Sequence, residues 1–183
     1  RELARRFHVR PSKQHSQNFL LDRFVARFMA EEAGVSKGDR VLEVGAGFGA
    51  LTDELLATGA DVLAFEIDEN LAAALVEQFR DTQNFHLVVG DFFRWYRQHT
   101  DELRSKPFSI VANLPYHAST FFFETALTGS ARPEQIIVLL QKEVAERIAA
   151  EPGSMSLLSI SVQLYGVPSV LRIVPKRSFW PQP

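Results

Sequence analysis

From Val41 to Ala150 the chain alternates short apolar runs with helical stretches, and that alternation restricts the fold more than any other feature. Val41–Val44, Asp61–Ile67, Phe85–Val89, Phe108–Ala112 and Gln135–Leu140 read as strands. Helical stretches are expected at Ala50–Thr58, Glu69–Arg80, near Asp101–Ser105, at Phe121–Leu127 and at Lys142–Ala150. Repeated βα units predict a mostly parallel sheet with helices on both faces, an α/β Rossmann-like domain. Upstream, Phe19–Ala33 is expected to be a helix with Phe19, Leu20, Phe24, Phe28 and Met29 on one stripe. Past Pro152 the rhythm changes. Leu158–Leu164 and Val167–Val174 are apolar and separated by Gly166, which predicts an antiparallel pair at the sheet's end.

With 183 residues, 46% of them hydrophobic, the chain is large enough for one domain with a substantial core. The expected organisation is a basic arm over 1–18 and a single domain over 19–183. There is no cysteine, which excludes a disulfide scaffold, a thiol nucleophile and thiolate metal sites. His8, His15, His86, His99 and His117 lack metal-ligand spacing, so no metal is expected. No apolar run approaches the roughly 20 residues of a membrane span, and no signal-peptide pattern opens the chain; a cytoplasmic protein without a membrane partner is expected. The net charge of −2 hides a segregation. Residues 1–27 hold seven Lys/Arg against Glu2 and Asp22, and Arg172, Lys176 and Arg177 close the chain with no acid. Such basic ends, Arg5, Arg6, Arg10 and Lys13 among them, suit a phosphate backbone.

Four strand ends carry the chemistry. The run Val41-Leu-Glu-Val-Gly-Ala-Gly-Phe-Gly-Ala50 passes from strand through a glycine turn into a helix. Gly45 and Gly47 allow close approach of backbone to a ligand, beside a helix N-terminus. Gly45, Gly47 and Ala50 also satisfy the dinucleotide fingerprint, so a nicotinamide or flavin enzyme and an S-adenosylmethionine enzyme both remain open. Glu43 favours the latter, because a carboxylate near the turn suits an ammonium and a sulfonium better than a pyrophosphate. Glu66, 21 residues after Gly45 and followed by Ile67, stands where an acid accepts ribose hydroxyls. Asp91 can accept from an adenine amino group, with Phe92 against the ring. Asn113-Leu114-Pro115-Tyr116 ends the fourth strand. The Asn113 side-chain oxygen and Leu114 carbonyl can hold the hydrogens of an exocyclic amine, Pro115 keeps Leu114 extended, and Tyr116 offers a face to a flipped base. Catalysis would then come from positioning. Phe121, Phe122 and Phe123 follow on a helix; at least two are expected in the core. Trp95 and Tyr96 are expected to pack.

In these motifs the chain resembles the rRNA adenine N6,N6-dimethyltransferases, which comprise small-subunit kasugamycin-sensitivity enzymes and macrolide-resistance enzymes acting on large-subunit rRNA. Gln17-Asn18-Phe19-Leu20 resembles the opening motif, and the resemblance gives Gln17, Asn18 and Leu20 a role at the cofactor. It likewise implies cofactor contacts for Gly45, Glu66, Asp91 and Asn113. Ser178-Phe179-Trp-Pro-Gln-Pro183 resembles the FxPxP motif, whose phenylalanine packs on the target base, and gives that role to Phe179. The resemblance implies about seven strands in the order 3-2-1-4-5-7-6 with the last antiparallel. It also implies S-adenosylmethionine as cofactor, with S-adenosylhomocysteine as product, and a monomer working on rRNA in a ribosomal subunit or its precursor. The family's helical C-terminal RNA-binding domain is expected to be absent from this chain. NLPY and LQKEV favour the small-subunit branch and dimethylation of two adjacent adenines. Methylation linked to antibiotic resistance, a non-catalytic assembly factor, an oxidoreductase and a DNA adenine methyltransferase are the competing readings.

Overall fold

A computed structural model describes residues 18–115 and 118–183. Arg5, Arg6, Arg10, Lys13, Gln17, Tyr116 and His117 therefore lie outside the described residues.

Five strands form one parallel sheet: β2 (Arg40–Val44), β3 (Asp61–Glu66), β4 (Phe85–Val89), β5 (Phe108–Asn113) and β6 (Gln135–Leu139), in the order β4-β3-β2-β5-β6. This is the expected 3-2-1-4-5 portion of the sheet. The helices between them are α2 (Ala50–Ala57), α3 (Glu69–Gln78), α4 (Phe92–Gln98), α5 (Thr100–Arg104) and α6 (Ser119–Thr128). Alternate residues of each strand feed opposite cores. Val41, Val62 and Val111 pack with Leu55 and Leu75 on one face; Leu42, Phe65, Ile110 and Ala112 pack with Phe92, Tyr96 and Phe122 on the other. Each fully buried aliphatic side chain contributes about 1.5–3 kcal/mol relative to exposure. The register leaves the C-terminal strand ends level: Val44 pairs with Phe65 and Ala112, Glu66 with Val89, and Asn113 with Leu139.

The first expected helix begins later than its apolar pattern. Asp22 is extended and accepts from the Phe24 amide, so α1 runs Arg23–Glu32 and buries Val25, Ala26, Met29 and Ala30. Phe19–Leu20 is instead a strand, β1, antiparallel to β7 (Phe179–Trp180). The Leu21 amide donates to Ser178 O, and Ser178 Oγ donates to Asp22 Oδ2. Thus the motif near the start of the chain and the one at its end are held together. Helix α4 was not expected; Asp91 caps it by accepting from the Arg94 amide.

The expected antiparallel pair after Pro152 is not there, and among the described residues the count of seven strands in one sheet is not reached. Leu157–Gln163 is a helix, α8, following α7 (Lys142–Ile148). A capping box between Ser156 and Ser159 starts α8. Ser159 Oγ donates to Arg147 O, and Gln163 Nε2 donates to Ile148 O and Ala150 O. Ser159 and Val162 are buried, so the run uses a helical period to dock on α7. Val167–Val174 joins no strand ladder. No described strand pairs with the outer edge of β6, and a groove separates β6 from residues 165–176. No helix of the described residues is long and apolar enough to cross a membrane.

Candidate functional site

A cavity of about 1130 Å³ opens at the C-terminal edge of the sheet and continues into the groove beside β6. Its walls bring together Asn18, Leu20, Gly45, Gly47, Glu66, Ile67, Asp91, Phe92, Asn113, Leu114, Pro115 and Phe179. Topology explains the convergence. In a parallel sheet every strand ends at the same edge, and ligands bind where the strand order reverses, here between β2 and β5.

The glycine turn sits closely between its neighbours. Gly45 has φ +79°, and a Cβ on it would lie 3.4 Å from Asn113 O. Gly47 has φ +58°, and its Cβ would lie 3.2 Å from the Phe19 ring. Side chains at either position would be strained by the positive φ and would crowd the turn against its neighbours. Phe19 packs on Phe48 with ring centroids 4.6 Å apart and on Trp180 at 6.1 Å, so the β1–β7 pair lies over the turn. Phe48 and Trp180 were not singled out in the sequence. The available signal was an aromatic residue inside the glycine motif and another inside the motif that ends the chain.

Glu66 is buried and holds the turn in place. Its Oε2 accepts from the Gly47 amide at 2.8 Å, and its Oε1 accepts from the Ile67 and Asp68 amides at 2.9 Å each. Burial pushes its carboxyl above the usual carboxylate range, against the pull of those three N–H groups. Oε2 retains acceptor capacity toward the cavity. Ile67 is exposed at the rim. Asp91 is exposed with one oxygen on its helix cap, while Phe92 is buried at the wall, edge-on to Phe65 at 5.1 Å. Trp95 and Tyr96 pack as expected: Trp95 stacks on His99, and the buried Tyr96 hydroxyl donates to Ala131 O.

Glu43 corrects the sequence expectation, for it is not on the cavity wall. By strand alternation it faces the Val41 side, under α2, and is fully buried. Burial, aided by the nearby Glu66 charge, pushes its carboxyl up to about 8. Thr52 is close enough to oppose that rise, yet neither Glu43 oxygen nor Thr52 Oγ1 has a partner of hydrogen-bonding geometry.

Asn113 ends β5 half-buried at the cavity. Its Nδ2 donates to Asn18 O at 3.0 Å, which turns Oδ1 away from Asn18 as a remaining acceptor. The Leu114 amide donates to Leu139 O, and Pro115 O accepts from the Ala118 amide, so both ends of the turn are fixed. Of the three phenylalanines on α6, Phe122 and Phe123 are buried and Phe121 is exposed. Phe123 reaches the cavity wall. Arg23 and Arg27, counted among the basic residues near the chain's start, are engaged by Asp53 and Glu54 of α2. No group of three potential metal ligands occurs among the described residues.

The family of ribosomal RNA adenine dimethylases matches residues 9–183. Ribosomal RNA small subunit methyltransferase A from Dehalococcoides mccartyi (strain CBDB1) is 36% identical over 185 residues, covering 100% of this chain and 62% of the relative. The protein of that name from Moorella thermoacetica is 39% identical over 182 residues, covering 94% and 63%. The chain thus spans about three-fifths of the length of these curated relatives. The crystal structure of 23S rRNA methyltransferase ErmE is similar with a TM-score of 0.75 at 30% identity, over 91% of this chain and 65% of that one. A dimethyladenosine transferase from Plasmodium falciparum shares the fold, with a TM-score of 0.67 at 24% identity over 80% and 52%.

Proposed function

The chain belongs to the ribosomal RNA adenine dimethylase family, and from that premise we propose that it transfers methyl groups from S-adenosylmethionine to adenine N6 in rRNA. Two adjacent adenines of small-subunit rRNA, each dimethylated during ribosome maturation in the cytoplasm, are the preferred target. The single observation that carries the reading is the Asn113–Leu114 turn, open to the cavity beside Gly45, with the Asn113 amide oriented by Asn18.

The cavity fits the cofactor chemically. Glu66 Oε2 accepts a ribose hydroxyl, Asp91 accepts from the adenine amino group, Phe92 and Ile67 flank the ring, and Gly45 and Gly47 leave room for the amino-acid end. Asn18 and Leu20 close the near side. When bound, S-adenosylmethionine supplies an electrophilic methyl on a sulfonium, and S-adenosylhomocysteine is what remains after transfer. The chain's own task is to make a weak nucleophile attack. Asn113 Oδ1 and the Leu114 carbonyl would hold the two hydrogens of the amine at a first transfer and the one that remains at a second, which favours a pyramidal, more nucleophilic nitrogen; the proton that the nitrogen sheds at each transfer passes to solvent. Tyr116 and Phe179 hold the extruded base from its faces. Arg5, Arg6, Arg10 and Lys13, with Lys176 and Arg177, meet the phosphates. The protein works as a monomer and needs no metal.

The names of the relatives from D. mccartyi and M. thermoacetica support a small-subunit target. The likeness to ErmE supports a second reading, a large-subunit adenine of the kind modified in macrolide resistance. A competition assay separates them. Full-length protein with radiolabelled cofactor is offered undermethylated small- and large-subunit rRNA together. Label in the small-subunit RNA is expected. Label in the large-subunit RNA alone would favour the second reading, and label in neither would refute both.

A further inference from the structure

Phe121 stands out among the three successive phenylalanines of α6: it is 41% exposed, whereas Phe122 and Phe123 are buried. Its ring lies 4.7 Å from that of Phe93, centroid to centroid, and the Arg97 guanidinium carbon lies 5.6 Å from its centroid. Phe93 lines the cavity. Helix α4 starts at the Asp91 cap, and α6 starts just past the Asn113 turn. Both therefore begin at the cavity mouth, and the seam between them leads away from it.

The charge of this seam fits an anion. Arg94 and Arg97 are exposed on α4 and form no ion pair among the described residues. Asp91 is tied to the Arg94 amide, and Glu124, a turn beyond Phe121, is not within ion-pair distance of either arginine. From Phe93 to Arg97 the helix rises about 6 Å, enough for a ring at one end and a phosphate at the other. A guanidinium over an aromatic face keeps its N–H donors in its own plane, free for phosphate oxygens.

We propose that Phe93, Phe121 and Arg97 form a platform for the nucleotide next to the target adenine. It rests on the RNA reading above. Extruding one base from its stack leaves the neighbouring base with an uncovered face, which costs free energy. Phe121 covers that face beside the mouth, Arg97 holds the adjoining phosphate, and Phe93 joins the platform to the cavity wall. The platform selects single-stranded or locally opened RNA without reading its sequence, since every base presents a π face.

The test uses full-length protein and an RNA hairpin with two adjacent adenines, with Phe121→Leu (similar volume, no ring), Arg97→Ala and Arg97→Lys. Phe121→Leu is expected to raise KM for RNA about tenfold, while kcat, S-adenosylmethionine affinity by calorimetry and Tm stay as in the unmodified protein. Arg97→Ala is expected to raise KM by a smaller factor and to flatten its salt dependence, which Arg97→Lys restores. An unchanged KM in Phe121→Leu and Arg97→Ala, or a rise matched by lost cofactor affinity or a lower Tm, overturns the platform and leaves a packing seam. No methyl transfer by the unmodified protein overturns the RNA reading, and the platform with it.

Discussion

The parallel sheet and the stretch after Pro152 are written in similarly apolar sequence, yet the central strands bury nearly all of it and the stretch leaves most of it exposed. Leu42, Val62, Ile110 and Val111 are fully buried, while Leu157 is 82% exposed, Leu164 75% and Val167 99%. The difference is partnership. Each central strand has neighbours in register on both sides and apolar side chains packed on both faces. Residues 165–176 face an unpaired strand edge across a groove. An apolar run becomes a buried strand when something is present to pair with it, so its composition alone does not settle its state.

The comparison can be broken at several points, beginning with the largest effect. Leu42→Ala is expected to cost about 2–5 kcal/mol, whereas Leu164→Ala is expected to change stability by less than about 0.5 kcal/mol. Urea unfolding of both variants checks the pair, and equal losses would show that the tail is packed too. At the edge where the sheet meets the cavity, Asn113→Ala is expected to slow methyl transfer by about 10²-fold or more with cofactor affinity largely kept; an unchanged single-turnover rate removes Asn113 from the chemistry. Glu66→Ala is expected to weaken cofactor binding by about 1.5–3 kcal/mol, read by calorimetry. It also leaves the Gly47, Ile67 and Asp68 amides without their acceptor, so some loss of stability is expected as well. The remaining prediction concerns pH dependence at Glu43, where the linkage is of the same order as the losses above. The folded protein holds its proton up to about 8, against 4.5 for a free glutamate. Below the unfolded value both states are protonated and the contribution is present in full; it is lost as pH rises through the folded value. Glu43→Gln should therefore lose less stability than the unmodified protein between about pH 5 and about pH 9; parallel urea profiles would mean that Glu43 does not titrate in this way.

Much of this architecture was legible in the sequence because local and tertiary signals agree there. Strand runs ending in Gly45, Glu66, Gly90-Asp91 and Asn113 announce a parallel sheet whose polar strand ends line one cavity. The failures occur where they disagree. Phe19 and Leu20 continue the apolar spacing of α1, but Asp22 caps the helix after them and Phe179–Trp180, at the far end of the chain, pair them as a strand. Leu158–Leu164 has the composition of a strand, but the Ser156–Ser159 box and the Gln163 bonds to α7 make it a helix. Glu43 belongs to the same motif as Gly45, and the period of two turns its side chain under α2 while the loop faces the cavity.

The most direct measurement of the central claim is mass spectrometry of small-subunit rRNA fragments after reaction with full-length protein and S-adenosylmethionine. The expected result is one fragment carrying two neighbouring adenines, each with two methyl groups on N6. Unmodified adenines, or methyl groups on another base or another atom of adenine, would contradict the assignment of the Asn113–Leu114 turn as the grip on an adenine amine.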